Sequence, residues 1–213
     1  RLSTAVERST AGTPLLDVTV EWEYTTVPSG SERRFACVSD RAAYNALVMD
    51  TPITTTWLMT PRPGMDATSR RCFELLSFTV DGEDMPIRRT EHEGGQTYIV
   101  DASVAAAAGN PVRIRHVYRT VTPAWGHRIY VELPQPARGF SFDLDYTNTS
   151  IDSVSVTDMA ANGRAAQIVP LPKRAAGRSL SLRAPGWLLS KSGFAIVWTL
   201  EDELPQSERS EAA

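Results

Sequence analysis

The chain has 213 residues, 42% of them hydrophobic and 22% charged, with a formal net charge of -3. That hydrophobic share is enough for a packed core and argues against disorder, and the acidic balance argues against nonspecific binding to a nucleic-acid polymer, which needs a dense basic surface. Two cysteines, Cys37 and Cys72, are too few and too far apart for a zinc knuckle or a disulfide framework, and they read as buried free thiols.

The chain starts Arg1-Leu2-Ser3-Thr4 with no initiator Met, and no apolar stretch is long enough to span a bilayer. It reads as a piece of a longer polypeptide, whose preceding segment carries a membrane helix, a signal peptide or another domain. Residues 1–12 are expected to be a linker or short helix. From Leu16 to Val27, Val18, Val20, Trp22 and Tyr24 alternate with Thr19, Glu21, Glu23 and Thr25 until Pro28-Ser29-Gly30 stops the run. A period of two places alternate side chains on opposite faces, so this is a strand with one face on a core. A second strand is expected over Arg34 to Val38. Asp40 then reads as the N-cap of a helical turn through AAYNALV, because its carboxylate can accept from the first free amides.

Thr54 to Met59 and Phe73 to Val80 read as strands, separated by the turn-rich segment Pro61 to Asp66. Asp81-Gly82 is a hairpin signal, since Gly tolerates the positive φ of a tight turn. Glu91 to Gly95 is expected as a loop, Thr97 to Asp101 as a strand, and Ser103 to Gly109 as a short helix or small-residue loop. Val112 to Val121 places Val112, Ile114, His116 and Tyr118 on one face and Arg113, Arg115 and Arg119 on the other, until Pro123-Ala124-Trp125-Gly126 breaks it. Strands follow over Arg128 to Leu133, Phe140 to Tyr146, Val154 to Thr157, Ala166 to Val169, Leu180 to Leu182 and Phe194 to Leu200.

About twelve short strands punctuated by Gly and Pro imply an all-β fold, and a sheet of that size splits in two. The expected architecture is a two-sheet antiparallel β-sandwich over residues 13–204, with one or two short helices. A subdomain break is expected near 123–126, and residues 205–213 read as a disordered tail.

No complete catalytic, metal or phosphate-cradling motif is present. Glu91-His92-Glu93 lacks the spacing of known metal sites and reads as a solvated loop, and His116 reads as a hydrogen-bonded core imidazole. Asp143, Asp145, Asp152 and Asp158 lack the dense pattern of a calcium loop. Ser190-Lys191 is disfavoured as a dyad, because strand neighbours point to opposite faces. Trp198 has core parity, whereas Trp187 follows Pro185-Gly186 and its exposure is left open.

The polar feature that stands out is Arg113, Arg115 and Arg119 on one strand face, with Arg128 just past the break. Like charges two apart on a strand repel unless compensated. One expectation is cross-strand pairing with Glu132, Asp143 or Asp145. The other is a cationic groove in which guanidinium forks hold phosphate or carboxylate, with Tyr130 as a stacking surface. The functional expectation is a non-enzymatic sensing or ligand-binding β module of a larger bacterial protein. It would bind a small anionic ligand such as a nucleotide at Arg113, Arg115, Arg119 and Arg128, without a cofactor or metal. The alternative is a structural or adhesive protein-interaction domain of a secreted or cell-surface protein, with a protein partner or a second copy. The Ala- and Arg-rich usage points to a bacterial source. The cytoplasmic side of a membrane is the expected location, and secretion is the alternative.

Overall fold

The structure, a computed structural model, describes residues 1–8, 14–49, 54–158, 167–170 and 178–204. Residues 9–12 of the expected linker and the expected tail 205–213 lie outside the described residues. The fold is all-β, as the period-two runs imply. In chain order the elements are β1 (Leu2–Arg8), β2 (Leu15–Thr26), β3 (Glu32–Val38), α1 (Arg41–Val48), β4 (Thr54–Leu58), β5 (Phe73–Val80), β6 (Glu83–Asp84), β7 (Ile87–His92), β8 (Gly95–Asp101) and α2 (Ser103–Ala108). Then come β9 (Val112–Pro123), β10 (Arg128–Glu132), β11 (Ala137–Asn148), β12 (Ile151–Asp158), β13 (Gln167–Pro170), β14 (Ser179–Leu188) and β15 (Gly193–Leu200), with short 3-10 turns at Ala124–Gly126 and Glu201–Glu203. Among the described residues, no helix is long and apolar enough to cross a membrane.

Two segments differ in secondary structure from the sequence expectation. Leu2–Arg8 is a strand and not a linker or helix: Thr4 and Val6 are buried while Ala5 and Glu7 are exposed, a period of two that the small and polar composition had hidden. Glu91 and His92 belong to β7 and not to a loop, because the chain reverses at Glu93-Gly94 and pairs His92 with Gly95.

The chain divides into two compact units, one of Arg1–Ser3 and Thr19–Val121, the other of Thr4–Val18 and Thr122–Ala213. In the first unit one sheet has the order β4-β3-β8-β7, and a second carries β2, β9, β5 and β6 side by side. Phe35 of β3 meets Phe78 of β5 edge-on at 6.0 Å, and Phe73 of β5 lies 5.9 Å from Tyr98 of β8, so the core of this unit is aromatic and shared by both sheets. The expected antiparallel arrangement is corrected between β3 and β4. β3 and β4 are parallel, because α1 carries the chain back over the sheet between them. Asp40 caps α1 as its residue type predicts, accepting from the Ala43 N–H at 2.6 Å. Asp81 (φ 51) and Gly82 (φ 90) form the two-residue turn between β5 and β6, both in the left-handed region that such a turn demands.

The loop before β5 is held by a buried amide. Gln96 of β8 donates to the Ala67 and Ser69 carbonyls, both at 2.9 Å, and its Oε1 accepts from Arg89 Nε at 2.9 Å and from the Tyr98 hydroxyl at 3.0 Å. All four hydrogen-bonding positions of the amide are used, which is what permits a polar side chain with no exposed surface.

In the second unit β10-β15-β12 form one sheet, and β13-β14-β11 run beside β1 in another. Phe140 of β11 stacks on Phe194 of β15 at 5.7 Å. Phe142, Leu144, Ile196 and Trp198 are buried, as their parity requires, and Trp198 Nε1 donates to the Ala124 carbonyl at 2.7 Å. Back in the first unit Val20 is buried too, but Trp22 is only half-buried and hydrogen-bonds Tyr118.

Candidate functional site

The arginine face of β9 is assembled as its parity predicts, and each guanidinium already has a carboxylate. Arg115 holds Glu21 with two prongs, Nε to Oε1 at 3.0 Å and Nη2 to Oε2 at 2.9 Å. Arg113 Nη2 lies 2.8 Å from Glu23 Oε1, and Arg119 Nη2 lies 2.8 Å from Glu74 Oε2, whose other oxygen faces Arg70 at 3.7 Å. The hydrogen bond from Arg115 is the main reason the Glu21 carboxyl is held below its usual range.

The partners differ from the expected Glu132, Asp143 and Asp145. The strands flanking β9 are β2 and β5, and these supply Glu21, Glu23 and Glu74. Glu132 instead takes Lys191 at 3.0 Å. Asp143 accepts from Ser181 Oγ at 2.7 Å and faces Arg183 at 3.6 Å, and Asp145 accepts from the Thr147 amide at 2.9 Å. Half-exposed pairs of this kind add little stability. Their effect is to neutralise the stripe, three cations against three anions, so it exerts little pull on a free anion.

Arg128, the fourth candidate, belongs to the second unit. Its guanidinium lies over the Tyr130 ring, 5.5 Å from the centroid, on an exposed face where Val197 is the cross-strand neighbour. Tyr130, expected as a stacking surface for a ligand, has the Arg128 guanidinium over its ring. Further along this unit Trp187 is 63% and Leu189 is 57% exposed, flanking buried Leu188, and Arg138 of β11 stands opposite Trp187. Gly139 (φ 71) marks the bulge that shifts the β11 register beside that pair. The sequence could flag Trp187 through its Pro-Gly context. Nothing in it singled out Leu189 as exposed.

The three histidines are separate in kind. His92 is exposed, its Nε2 3.3 Å from Thr97 Oγ1. His116 is buried between aromatic rings, stacked on Phe78 at 6.0 Å and facing Phe35 at 5.0 Å. Its Nδ1 has no hydrogen-bond partner, so the expected hydrogen-bonded core imidazole is corrected to an aromatic-packed one. Burial first, and Arg33 second, push its pKa down to about 3, which keeps the ring neutral. His127 sits in a left-handed position (φ 55) against Trp198 and Glu203. Among the described residues no three His, Cys, Asp or Glu side chains group as a metal site would require; the Asp158 side chain lies outside that description. Cys37 and Cys72 are both free and buried, and burial pushes the Cys37 thiol up to about 12.

No family model matches the chain, and no curated protein does. Among solved structures, a "putative protease" from Parabacteroides distasonis superposes with a TM-score of 0.52 at 9% identity, over 93% of this chain and 39% of that one. An M1 zinc metallopeptidase from Deinococcus radiodurans aligns with a TM-score of 0.44 at 10% identity, over 92% of this chain and 41% of that one. At such identity the first likeness concerns the fold alone, and this chain spans well under half the length of either protein.

Proposed function

We propose that the chain is a non-enzymatic β module that works by binding another protein through the second unit, at the surface around Trp187 and Leu189. The observation that carries this reading is a pair of large apolar side chains exposed at 63% and 57%, with Arg138 opposite Trp187. Trp, Tyr and Arg are enriched at the anchors of protein interfaces: Trp buries a large rigid area, and Arg adds a planar fork of hydrogen-bond donors. Sensing of a small anion at Arg113, Arg115 and Arg119 is the weaker reading, since an incoming anion must displace Glu21, Glu23 and Glu74. It retains one support, the exposed Arg128–Tyr130 pair, which offers a charge beside a ring face.

Two measurements separate these readings. A photoreactive residue at Trp187 in the cell of origin should yield one discrete crosslinked protein, lost on Leu189→Asp, whereas the same probe at exposed Glu7 should not. A thermal-shift screen with nucleotides, phosphate and carboxylates should leave the melting temperature unchanged. A ligand-induced rise abolished by Arg128→Ala or Arg115→Ala, with no crosslink at position 187, would replace the interaction reading with the anion-sensing one.

A further inference from the structure

β10 is an edge strand. In its three-stranded sheet it pairs with β15 on one side, and among the described residues no strand pairs with the other. Which backbone groups meet that open side follows from the ladder. The Trp198 amide donates to the His127 carbonyl at 3.1 Å, and the Leu133 amide donates to the Ser192 carbonyl at 2.9 Å. With alternation between them, residues 127, 129, 131 and 133 turn their N–H and C=O toward β15. Arg128, Tyr130 and Glu132 turn theirs outward, a row of donors and acceptors that templates a further strand.

The side chains of this edge are their own complement. Arg128, Tyr130 and Glu132 are exposed and share one face, with the cation at one end and the anion at the other. An antiparallel second copy of β10 centred on Tyr130 sets Arg128 opposite Glu132 of the second copy, and the reverse, with the two Tyr130 rings meeting at the axis. On the opposite face, half-buried Ile129 stands against Val131 of the second copy. In this alignment outward-facing residues meet outward-facing residues, and each such pair exchanges two backbone hydrogen bonds. A slip of two residues either way carries Arg128 or Glu132 past the end of its mate. No lysine, proline or bulge blunts the strand, and its two charges attract a copy where edge charges ordinarily repel one. The face is held ready: Lys191 donates to Glu132 at 3.0 Å, and Arg128 lies over the ring of Tyr130, which is 54% exposed.

We propose that β10 is a homodimerisation edge, where a second copy of this chain adds its own β10 in antiparallel about a two-fold axis at Tyr130. The sheet β12-β15-β10 then continues through both copies, and the same patch serves each of them. This contact does not rest on the surface around Trp187 and Leu189.

Sedimentation velocity on the full chain tests it, over a concentration series reaching about 1 mM, because an interface below standard size binds weakly. Wild type should pass from monomer to dimer within the series. Arg128→Glu and Glu132→Arg, each alone, turn both opposed pairs into like charges and should weaken the dimer at least about tenfold. An equimolar mixture of the two variants restores opposite charges at both positions, as does the double variant Arg128→Glu/Glu132→Arg. Both should dimerise as wild type does. The two positions are exposed, so circular dichroism spectra and melting temperatures should match wild type throughout. Leu189→Asp should leave the dimer intact. A chain that stays monomeric, a dimer unmoved by either single swap, or swaps that neither the mixture nor the double variant rescues would overturn the proposal. A dimer lost on Leu189→Asp and kept in both swaps would assign self-association to the Trp187 surface instead.

Discussion

His116→Phe isolates what a buried imidazole costs this fold. The ring is 4% exposed, stacked at 7° on Phe78, with an Nδ1 that lacks a partner, so a phenyl ring keeps the stacking and removes the polar atom. In the unfolded chain the imidazole titrates near its usual 6.5, and in the folded protein it stays neutral down to about 3. Between those limits the unfolded chain binds the additional proton, so the contribution to stability is full above 6.5 and is lost as pH falls toward 3. The whole interval is worth about 5 kcal/mol, of which about 2 kcal/mol is already gone near pH 5. Urea unfolding of both proteins near pH 8 and near pH 5 measures this, since carboxylate titrations common to both cancel in the difference. The phenylalanine variant should be at least as stable near pH 8 and gain about 2 kcal/mol more relative to wild type near pH 5. An advantage of equal size at both pH values would refute a neutral, desolvated imidazole at this position.

Gln96→Ala should destabilise the first unit by about 3 kcal/mol in the same assay, because it strands the Arg89, Tyr98, Ala67 and Ser69 groups that the amide now satisfies. Gly193→Ala should give little soluble protein, since its Cβ would collide with the Val131 carbonyl oxygen across the β10–β15 pair; normal yield and melting temperature would show that this backbone approach is not needed. Arg115→Ala should cost no more than about 1 kcal/mol, as befits a half-exposed pair, and leave the circular dichroism spectrum unchanged. The Cys37 thiol, raised to about 12, should resist iodoacetamide in the native protein at neutral pH and react only after unfolding.

The parts of the fold that could be read in advance are those where one residue decides a local geometry. Val18 and Val20, then Phe142 and Leu144, announce buried faces by alternation; Asp40 announces a helix start; Asp81-Gly82 announces a turn. Leu2–Arg8 escaped because its inward side chains are a threonine and a valine among small and charged neighbours, so burial there is set by the strand beside it and not by its own composition. β7 escaped for a related reason. Arg88, Thr90 and His92 are exposed along a sheet edge, and only the pairing with β8 makes that segment a strand. At the candidate site, strand parity placed the three arginines of β9 on the correct face. It could not supply their partners, because strand adjacency is a long-range property and Glu21, Glu23 and Glu74 come from distant segments.

The ion-paired face also bears on how the chain finds its fold. Glu21 and Arg115 are 94 residues apart in sequence, so β2 and β9 must meet through a long excursion of the chain whose closure entropy grows only slowly with its length. Meeting is therefore less discriminating than meeting in step. A slip of two residues keeps every apolar side chain on the inner face, and burial alone would tolerate it. The same slip brings only one of Glu21 and Glu23 opposite an arginine and leaves the other pair broken. The carboxylates and guanidiniums thus add a modest preference, on the order of 1 kcal/mol, for the native alignment over a misalignment to which the hydrophobic core is blind.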